Sequence, residues 1–168
     1  MGAALVLDIV GRLEARGIPV WLDGGWAVDA LLREQTRPHD DLDLVARLDD
    51  GPLIVRALGE LGYAPAGGGA PRSYELVDQD GHQVDVHPVA WAASGDGVYK
   101  QDSGEDWIYP ADGFLGIGRI LEHDVPCLTP EVVIVNHTTG YVLDDVHQRD
   151  ARLLAERYGI PLTESRTA

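Results

Sequence analysis

The sequence contains one cysteine, Cys127, and one lysine, Lys100, among its 168 residues. A single cysteine excludes an internal disulfide framework and a zinc site built on several thiolates. Hydrophobic runs are short, because no stretch approaches the roughly 20 apolar residues that span a bilayer. The N-terminal segment MGAALVLDIVGRLEARG lacks the basic start and small-residue cleavage site of a signal peptide. We therefore expect a cytoplasmic protein with no membrane association.

Basic residues are scarce relative to acidic ones. Asp and Glu number 28 and Lys and Arg 13, which gives a formal net charge of −15. Such a chain repels polyanions, which argues against a general nucleic-acid-binding function. Its partners are expected to be small and cationic, or to be anions accompanied by metal ions. Plain solubility is the alternative explanation of the negative charge.

Apolar residues make up 45% of the chain, which is enough for one buried core at this length. Helical spacing and short apolar runs predict an α+β fold with a mixed sheet flanked by helices. The predicted helices are 3–16, 26–33, 50–62, 130–140 and 146–158, and the predicted strands are 18–22, 41–45, 72–77, 83–89, 114–121 and 124–128. We predict a flexible turn at residues 67–69 and a long substrate-facing loop over about 92–112. We expect a single domain over residues 1–168, with a core of about 3–128 and a C-terminal helical part of about 130–158.

Two adjacent glycines, Gly24 and Gly25, lie between a predicted strand and a predicted helix. Glycines at such a turn let the backbone approach a ligand, and the N–H groups at the helix start can bind a phosphate. A purely structural turn is the alternative. Arg37, shortly before the acids of the next strand, is a candidate nucleotide-binding residue, with capping or packing as the alternative.

Asp41 and Asp43 lie two residues apart on a predicted strand, so both carboxylates point to one face, roughly 6–7 Å apart along the backbone. Leu42 and Leu44 point to the opposite face and anchor the pair in the core. Two neighbouring carboxylates repel each other, and a divalent cation relieves that repulsion. A solvated strand edge is the alternative for this pair taken alone.

Asp85 is a single acid within the apolar strand Val84-Asp85-Val86, where a charge is costly without a partner or a metal ion. If this strand lies beside that of Asp41 and Asp43, three carboxylates converge near the glycine turn. Such an arrangement suits two Mg²⁺ ions about 3.5–4 Å apart. His87 falls on the same strand face as Asp85, where it either assists the site or is structural.

Three motifs in this order resemble the small antibiotic nucleotidyltransferases of the polymerase-β-like superfamily: Gly24-Gly25, then Asp41-x-Asp43, then Asp85. Residues 21–30 and 36–44 are similar to the aminoglycoside 2″-nucleotidyltransferases. Residues 84–88 and 125–131 resemble the lincosamide nucleotidyltransferases instead. The resemblance covers roughly residues 15–157 and implies a polymerase-β-like nucleotidyltransferase fold with C-terminal helices.

The resemblance also implies roles for these residues. Asp41 and Asp43 would bind Mg²⁺ and, through it, the β- and γ-phosphates of ATP, and Gly24 and Gly25 would hold the triphosphate by backbone N–H groups. Asp85 would hold the second Mg²⁺ and act as, or assist, the general base. A hydroxyl of a lincosamide or an aminoglycoside would attack the α-phosphorus and receive AMP, and pyrophosphate would leave. The lincosamide branch further implies a homodimer.

Three other interpretations stay open. His39-Asp40 can belong to a histidine–aspartate metal phosphohydrolase, although that class needs further histidines on helices. A non-catalytic nucleotide-binding or regulatory module of the same fold is the second, and the presence of all three acids argues against it. Nucleotidyl transfer to a protein or RNA hydroxyl is the third, and the lack of a basic surface argues against RNA.

Overall fold

The computed structural model describes residues 1–101, 103–140 and 144–162, so residues 141–143 of the predicted C-terminal helical part lie outside the described residues. The helices are α1 Ala3–Glu14, α2 Gly24–Leu32, α3 Gly51–Gly59, α4 Pro130–Val135 and α5 Asp145–Tyr158. The strands are β1 Val20–Leu22, β2 Asp41–Arg47, β3 Ala64–Gly68, β4 Tyr74–Val77, β5 Gln83–Trp91, β6 Gly97–Lys100, β7 Asp106–Tyr109, β8 Gly116–Ile120 and β9 His123–Cys127. Short 3₁₀ turns cover Leu48–Asp50 and Ala111–Leu115, and a π-helical turn, Asn136–Gly140, follows α4.

The strands form one sheet in the order β3-β4-β5-β2-β1-β9-β8, and the β6–β7 hairpin extends it along β5. β2 runs parallel to β5, and β1 runs parallel to β9. The other neighbouring strands are antiparallel. The predicted mixed sheet flanked by helices is therefore confirmed.

The two central strands alternate between buried apolar residues and polar residues. Leu42 and Leu44 of β2 and Val84 and Val86 of β5 have no exposed surface. Full burial of such side chains stabilises the fold by about 1.5–3 kcal/mol each. A register shift of one residue would turn the intervening carboxylates into the core, so this alternation determines how β2 and β5 pair.

The helices pack in two groups. α1 contacts α3, whereas α2 contacts α4, α5 and strand β8. α2 begins at Gly24 because the Asp23 carboxylate accepts a hydrogen bond from the Gly24 N–H and caps the helix. Within the described ranges, no helix combines the length and the apolar character required to cross a bilayer.

Two segments predicted as turn or loop contain strands. β3 extends to Gly68 and pairs with β4, so the glycine run 67–69 is not simply a flexible turn. Within residues 92–112, β6 and β7 form a hairpin that pairs with the end of β5, so this segment is not one long loop. Glycines interrupt the apolar alternation in the first segment, and glycines and acids interrupt it in the second, which removes the signal used to recognise strands.

Leu44 provides a test of the central core. We expect Leu44→Ala to lower the free energy of unfolding by about 2–5 kcal/mol, because the truncation leaves a cavity between sheet and helices. Leu53→Ala in α3 is the matched control, since Leu53 is 50% exposed and its truncation should cost less than about 1 kcal/mol. Guanidinium denaturation followed by circular dichroism measures both, and equal losses would contradict this core assignment.

Candidate active site

The parallel pairing of β2 and β5 places the predicted acids side by side. Asp43 is the direct neighbour of Asp85, and Asp41 is the direct neighbour of Gln83. Because side chains two residues apart share a face, Asp41, Asp43 and Asp85 all lie on the same face of the sheet. On the other side of β5, Glu75 of β4 pairs with Asp85 and adds a fourth acid to this face.

The glycine turn lies against these acids. Gly24 has φ +58°, and a Cβ built there would lie 1.9 Å from Asp43 Oδ2. A Cβ at Gly25 would lie 2.4 Å from His39 Nδ1. Any other residue at these two positions would displace the Asp43 carboxylate or the His39 ring, so glycine is required for the close approach between the start of α2 and β2.

A cavity of about 530 Å³ opens between the acids and the C-terminal helices. It is lined by Gly24, Gly25, Arg37, Asp40, Asp41, Asp43, Ser73, Glu75, Asp85, His87, His137, Asp144, Val146 and His147. All six predicted site residues therefore face one cavity. Its volume falls within the range of small-molecule sites in proteins.

Negative charge is concentrated on the sheet side of the cavity. Burial raises the pKa of Asp85 to about 6; the Gln83 amide, which donates to both carboxylate oxygens, opposes the rise, and the charges of Asp43 and Asp41 add to it. Burial also raises the pKa of Asp41, and the Asp43 carboxylate raises it further. These acids therefore repel one another and attract a cation.

His87 is a titratable group in direct contact with the acids. Its Nε2 lies 3.3 Å from Asp43 Oδ1, and its Nδ1 lies 3.0 Å from Ser73 Oγ. Burial lowers the pKa of His87, but the hydrogen bond with Asp43 and the charges of Asp43, Asp23 and Asp85 outweigh it and raise the pKa. The sequence left two roles open for His87, assistance to the site or a structural role. Its direct contact with Asp43 favours the first.

The acids provide the oxygen ligands that Mg²⁺ prefers. The carboxylate oxygens of Asp41, Asp43 and Asp85 nevertheless do not all lie within 4.8 Å of one another, so the three acids do not form a single three-ligand site. Across the part of the chain that the structure describes, only Asp78, Asp80 and His82 bring three ligand atoms within 4.8 Å of one another. That cluster lies at the β4–β5 turn, outside the cavity, where Asp78 accepts hydrogen bonds from the backbone of Asp80 and His82.

Arg37 lines the cavity but is already bound to an acid. Its Nε and one terminal nitrogen donate to Asp150 Oδ2 of α5 at 3.2 and 3.0 Å. Asp150 is 1% exposed and also accepts from Arg149. The structure thus shows the packing role that was the alternative for Arg37, and nucleotide binding by this residue stays a prediction.

His39 and Asp40 do not form a histidine–aspartate pair. His39 is buried, and its Nε2 contacts Oδ2 of Asp29 in α2. The other oxygen of this carboxylate, Oδ1, accepts hydrogen bonds from the backbone N–H and the hydroxyl of Thr36. Asp40 precedes the first residue of β2 and lines the cavity. His39 therefore orders the segment before β2, and the arrangement provides no support for the phosphohydrolase interpretation.

Several residues of the cavity carry no motif in the sequence. Glu75 lies on β4 and Ser73 immediately before it. His137 and Asp144 lie between α4 and α5, and Val146 lies at the start of α5. For Glu75, the buried neighbours on either side in β4 indicate which face it occupies. The two strands, β4 and β5, were predicted on either side of the turn at residues 78–81, but the register that brings Glu75 next to Asp85 is not visible in the sequence.

Solved structures with the same architecture are nucleotidyltransferases. The chain superimposes on the lincosamide antibiotic adenylyltransferase LnuA, solved with lincomycin bound, with a TM-score of 0.76 and 23% identity over 89% of this chain and 93% of that one. On ANT(2″)-Ia, solved with adenylyl-2″-tobramycin, the TM-score is 0.69 with 22% identity over 92% of this chain and 88% of that one. The fold is therefore the nucleotidyltransferase fold, as the resemblance implied.

Sequence comparison identifies the family within that class. The aminoglycoside-2″-adenylyltransferase family matches residues 5–154. A lincosamide resistance protein of Staphylococcus haemolyticus is 26% identical over 149 residues, which cover 89% of each chain. A 2″-aminoglycoside nucleotidyltransferase of Escherichia coli is 48% identical over 96 residues, a match that spans 52% of this chain and 49% of that protein. The chain belongs to the aminoglycoside-2″-adenylyltransferase family and is a nucleotidyltransferase, which confirms the family resemblance seen in the sequence.

The link between Arg37 and Asp150 can be tested by stability. We expect Arg37→Ala to lower the free energy of unfolding by about 1–3 kcal/mol, because the buried carboxylate loses one of its two arginine partners. Arg152→Ala is the matched control, since Arg152 is an exposed arginine of α5, and it should change stability by less than about 0.5 kcal/mol. Thermal or chemical unfolding measures both. A stable Arg37→Ala variant that loses only ATP affinity would instead favour the nucleotide-binding role.

Proposed function

We propose that the protein transfers AMP from ATP to a hydroxyl of a small cationic antibiotic, a lincosamide or an aminoglycoside, with release of pyrophosphate. The observation that carries the proposal is the placement of Asp43 beside Asp85 on neighbouring strands, directly against the Gly24 turn, in one cavity. The names of the relatives support the reaction class and both acceptor classes.

Nucleotide binding is proposed for the glycine side of the cavity. The start of α2 places backbone N–H groups and the positive end of a helix dipole beside Gly24 and Gly25. This is the part of the cavity wall best suited to a triphosphate, because the sheet side is acidic. The absence of a side chain on Gly24 lets the Asp43 carboxylate approach this turn, which places a proposed metal ligand next to the proposed triphosphate site.

Divalent metal binding is proposed for Asp41, Asp43 and Asp85. Their oxygen donors, shared sheet face and mutual repulsion fit Mg²⁺. Because the oxygens of the three carboxylates lie too far apart to form one three-ligand site, we propose two ions that share the three acids. When bound, Mg²⁺ would neutralise the triphosphate and stabilise the charge that develops on the departing pyrophosphate.

Asp85 is proposed to accept the proton of the acceptor hydroxyl. Its carboxylate faces the cavity, and its raised pKa suits a group that takes up a proton near neutral pH. The hydroxyl oxygen forms a bond to the α-phosphorus of ATP as the bond to the β-phosphate oxygen breaks. The electron pair of that bond leaves with pyrophosphate, so no covalent enzyme intermediate is required.

Acceptor binding is proposed for the outer acidic wall. Glu75 and Asp40 are exposed and line the cavity on either side of the central acids. With the net charge of −15, these carboxylates favour an acceptor that carries amino groups.

A homodimer and a cytoplasmic location stay predictions. The cytoplasmic location is in accord with the proposed use of ATP.

Mass spectrometry of reaction mixtures tests the proposed reaction. Lincomycin and tobramycin are incubated separately with the protein, Mg²⁺ and each nucleoside triphosphate. We expect an AMP adduct on at least one antibiotic, and an at least 100-fold lower rate for Asp85→Asn, because the proton acceptor is lost. Asp8→Asn, an exposed change on α1, is the matched control and should keep full activity. Absence of any adduct with the wild-type protein would contradict the proposed acceptor classes.

The proposed role of Glu75 in the acidic wall leads to a separate prediction. We expect Glu75→Gln to raise the KM for a cationic acceptor about three- to tenfold while the KM for ATP changes little, because only the attraction for ammonium groups is reduced. Glu60→Gln is the matched control, because Glu60 pairs with Arg16 and does not line the cavity. Steady-state kinetics with the better acceptor of the panel separates the two constants. A selective increase in the KM for ATP would place Glu75 on the nucleotide side instead.

A further inference from the structure

A chain of hydrogen bonds leads from Asp43 to two residues outside the motifs. His87 is 8% exposed and is held at both ring nitrogens, by Asp43 Oδ1 at Nε2 and by Ser73 Oγ at Nδ1. Ser73 Oγ also contacts the Tyr99 hydroxyl. The Tyr99 ring lies edge-on to the His87 ring, with 5.7 Å between ring centroids.

The three residues come from separate parts of the sheet. His87 lies on β5, Ser73 immediately precedes β4, and Tyr99 lies on the β6 strand of the added hairpin. β4 and β6 are both hydrogen-bonded to β5 and pair with different parts of it, Tyr74 with Val86 and Tyr99 with Val89. The two strands therefore bring their hydroxyl groups together next to one histidine ring.

The chemistry of the groups determines the direction of the hydrogen bond between His87 and Asp43. A carboxylate only accepts, so His87 Nε2–H donates to Asp43. A serine hydroxyl both donates and accepts, so Ser73 can satisfy Nδ1 while its remaining hydrogen-bonding capacity is used by Tyr99. Rotation of the ring would break the contacts of both nitrogens, and the ring is therefore held in one orientation.

The orientation of the His87 ring affects how the Asp43 carboxylate is held. Oδ1 contacts His87, and Oδ2 is the atom that lies against the Gly24 backbone. The histidine thus holds one oxygen while the other is directed to the glycine turn, where the proposed nucleotide site lies. Loss of the Ser73 and Tyr99 contacts would release the ring and, with it, the carboxylate.

We propose that Ser73 and Tyr99 are positioning residues that act through His87 to orient Asp43 for the metal-bound nucleotide. The proposal rests on the proposed function, since it assigns the Asp43 carboxylate to a divalent ion. It adds two residues that belong to none of the three motifs and gives the β6–β7 hairpin a role in the site. Residues of this kind, which orient a metal ligand without touching the metal, strongly affect metal affinity.

Direct measurement of Mn²⁺ binding in the presence of ATP, by electron paramagnetic resonance and without an acceptor, tests the proposal. We expect Ser73→Ala and Tyr99→Phe each to weaken Mn²⁺ binding about tenfold. Ser73→Thr keeps the hydroxyl and should restore most of the affinity. Ser94→Ala and Tyr158→Phe are the matched controls, because each removes one hydroxyl hydrogen bond elsewhere, to Asp96 and to the Leu31 carbonyl respectively.

The possible outcomes separate the two proposals. Equal Mn²⁺ affinity in the wild-type protein and in folded Ser73→Ala and Tyr99→Phe would overturn the positioning role alone. Wild-type protein that binds Mn²⁺ with ATP but modifies no acceptor would contradict the proposed function, while the affinity comparison still decides the positioning role. Wild-type protein that binds no Mn²⁺ would contradict both. If Tyr99→Phe does not fold, Ser73→Ala and its threonine rescue decide the question.

Discussion

The parallel pairing of β2 with β5, in the register that sets Asp43 opposite Asp85, is the constraint on which the site depends. Every other feature of the cavity is placed relative to this pair. Fully buried leucines and valines on the reverse face of both strands maintain the register, since a slip of one residue would bury carboxylates and expose the core. Packing on one face of the sheet therefore positions the acids on the other.

The C-terminal helices complete the site by hydrogen bonds between buried polar groups. Asn136, in the π-helical turn after α4, donates to the buried carboxylate of Asp23, which in turn caps α2 at the glycine turn. Asp150 of α5 holds Arg37 before β2. Because buried polar groups are costly when unpaired, these two contacts tie the helices to the same edge of the sheet as the acids. The cavity lies between the sheet and these helices.

The electrostatics of the site follow from the same geometry. Burial raises the pKa of Asp41 and of Asp85, and the neighbouring carboxylates on the same sheet face raise it further. A histidine, His87, rather than a lysine contacts the Asp43 carboxylate. Arg37 lines the same cavity but pairs with Asp150, so the acids favour cationic ligands, which is consistent with a protein whose proposed substrates are a metal-bound nucleotide and a cationic acceptor.

Local sequence pattern indicated the helices, the central strands and the faces of their residues, but not β3, β6 and β7. The two-residue spacing of Asp41 and Asp43 and the lone acid at Asp85 indicated three carboxylates on sheet faces, because strand alternation is a property of the backbone. Tertiary structure alone decided which strands are neighbours, and so brought in Glu75, Ser73 and Tyr99 and engaged Arg37 with Asp150. The β6–β7 hairpin was predicted as a loop because glycines and acids interrupt the apolar alternation of this segment, and its strands are recognised only from their pairing with β5 and with each other in the folded sheet.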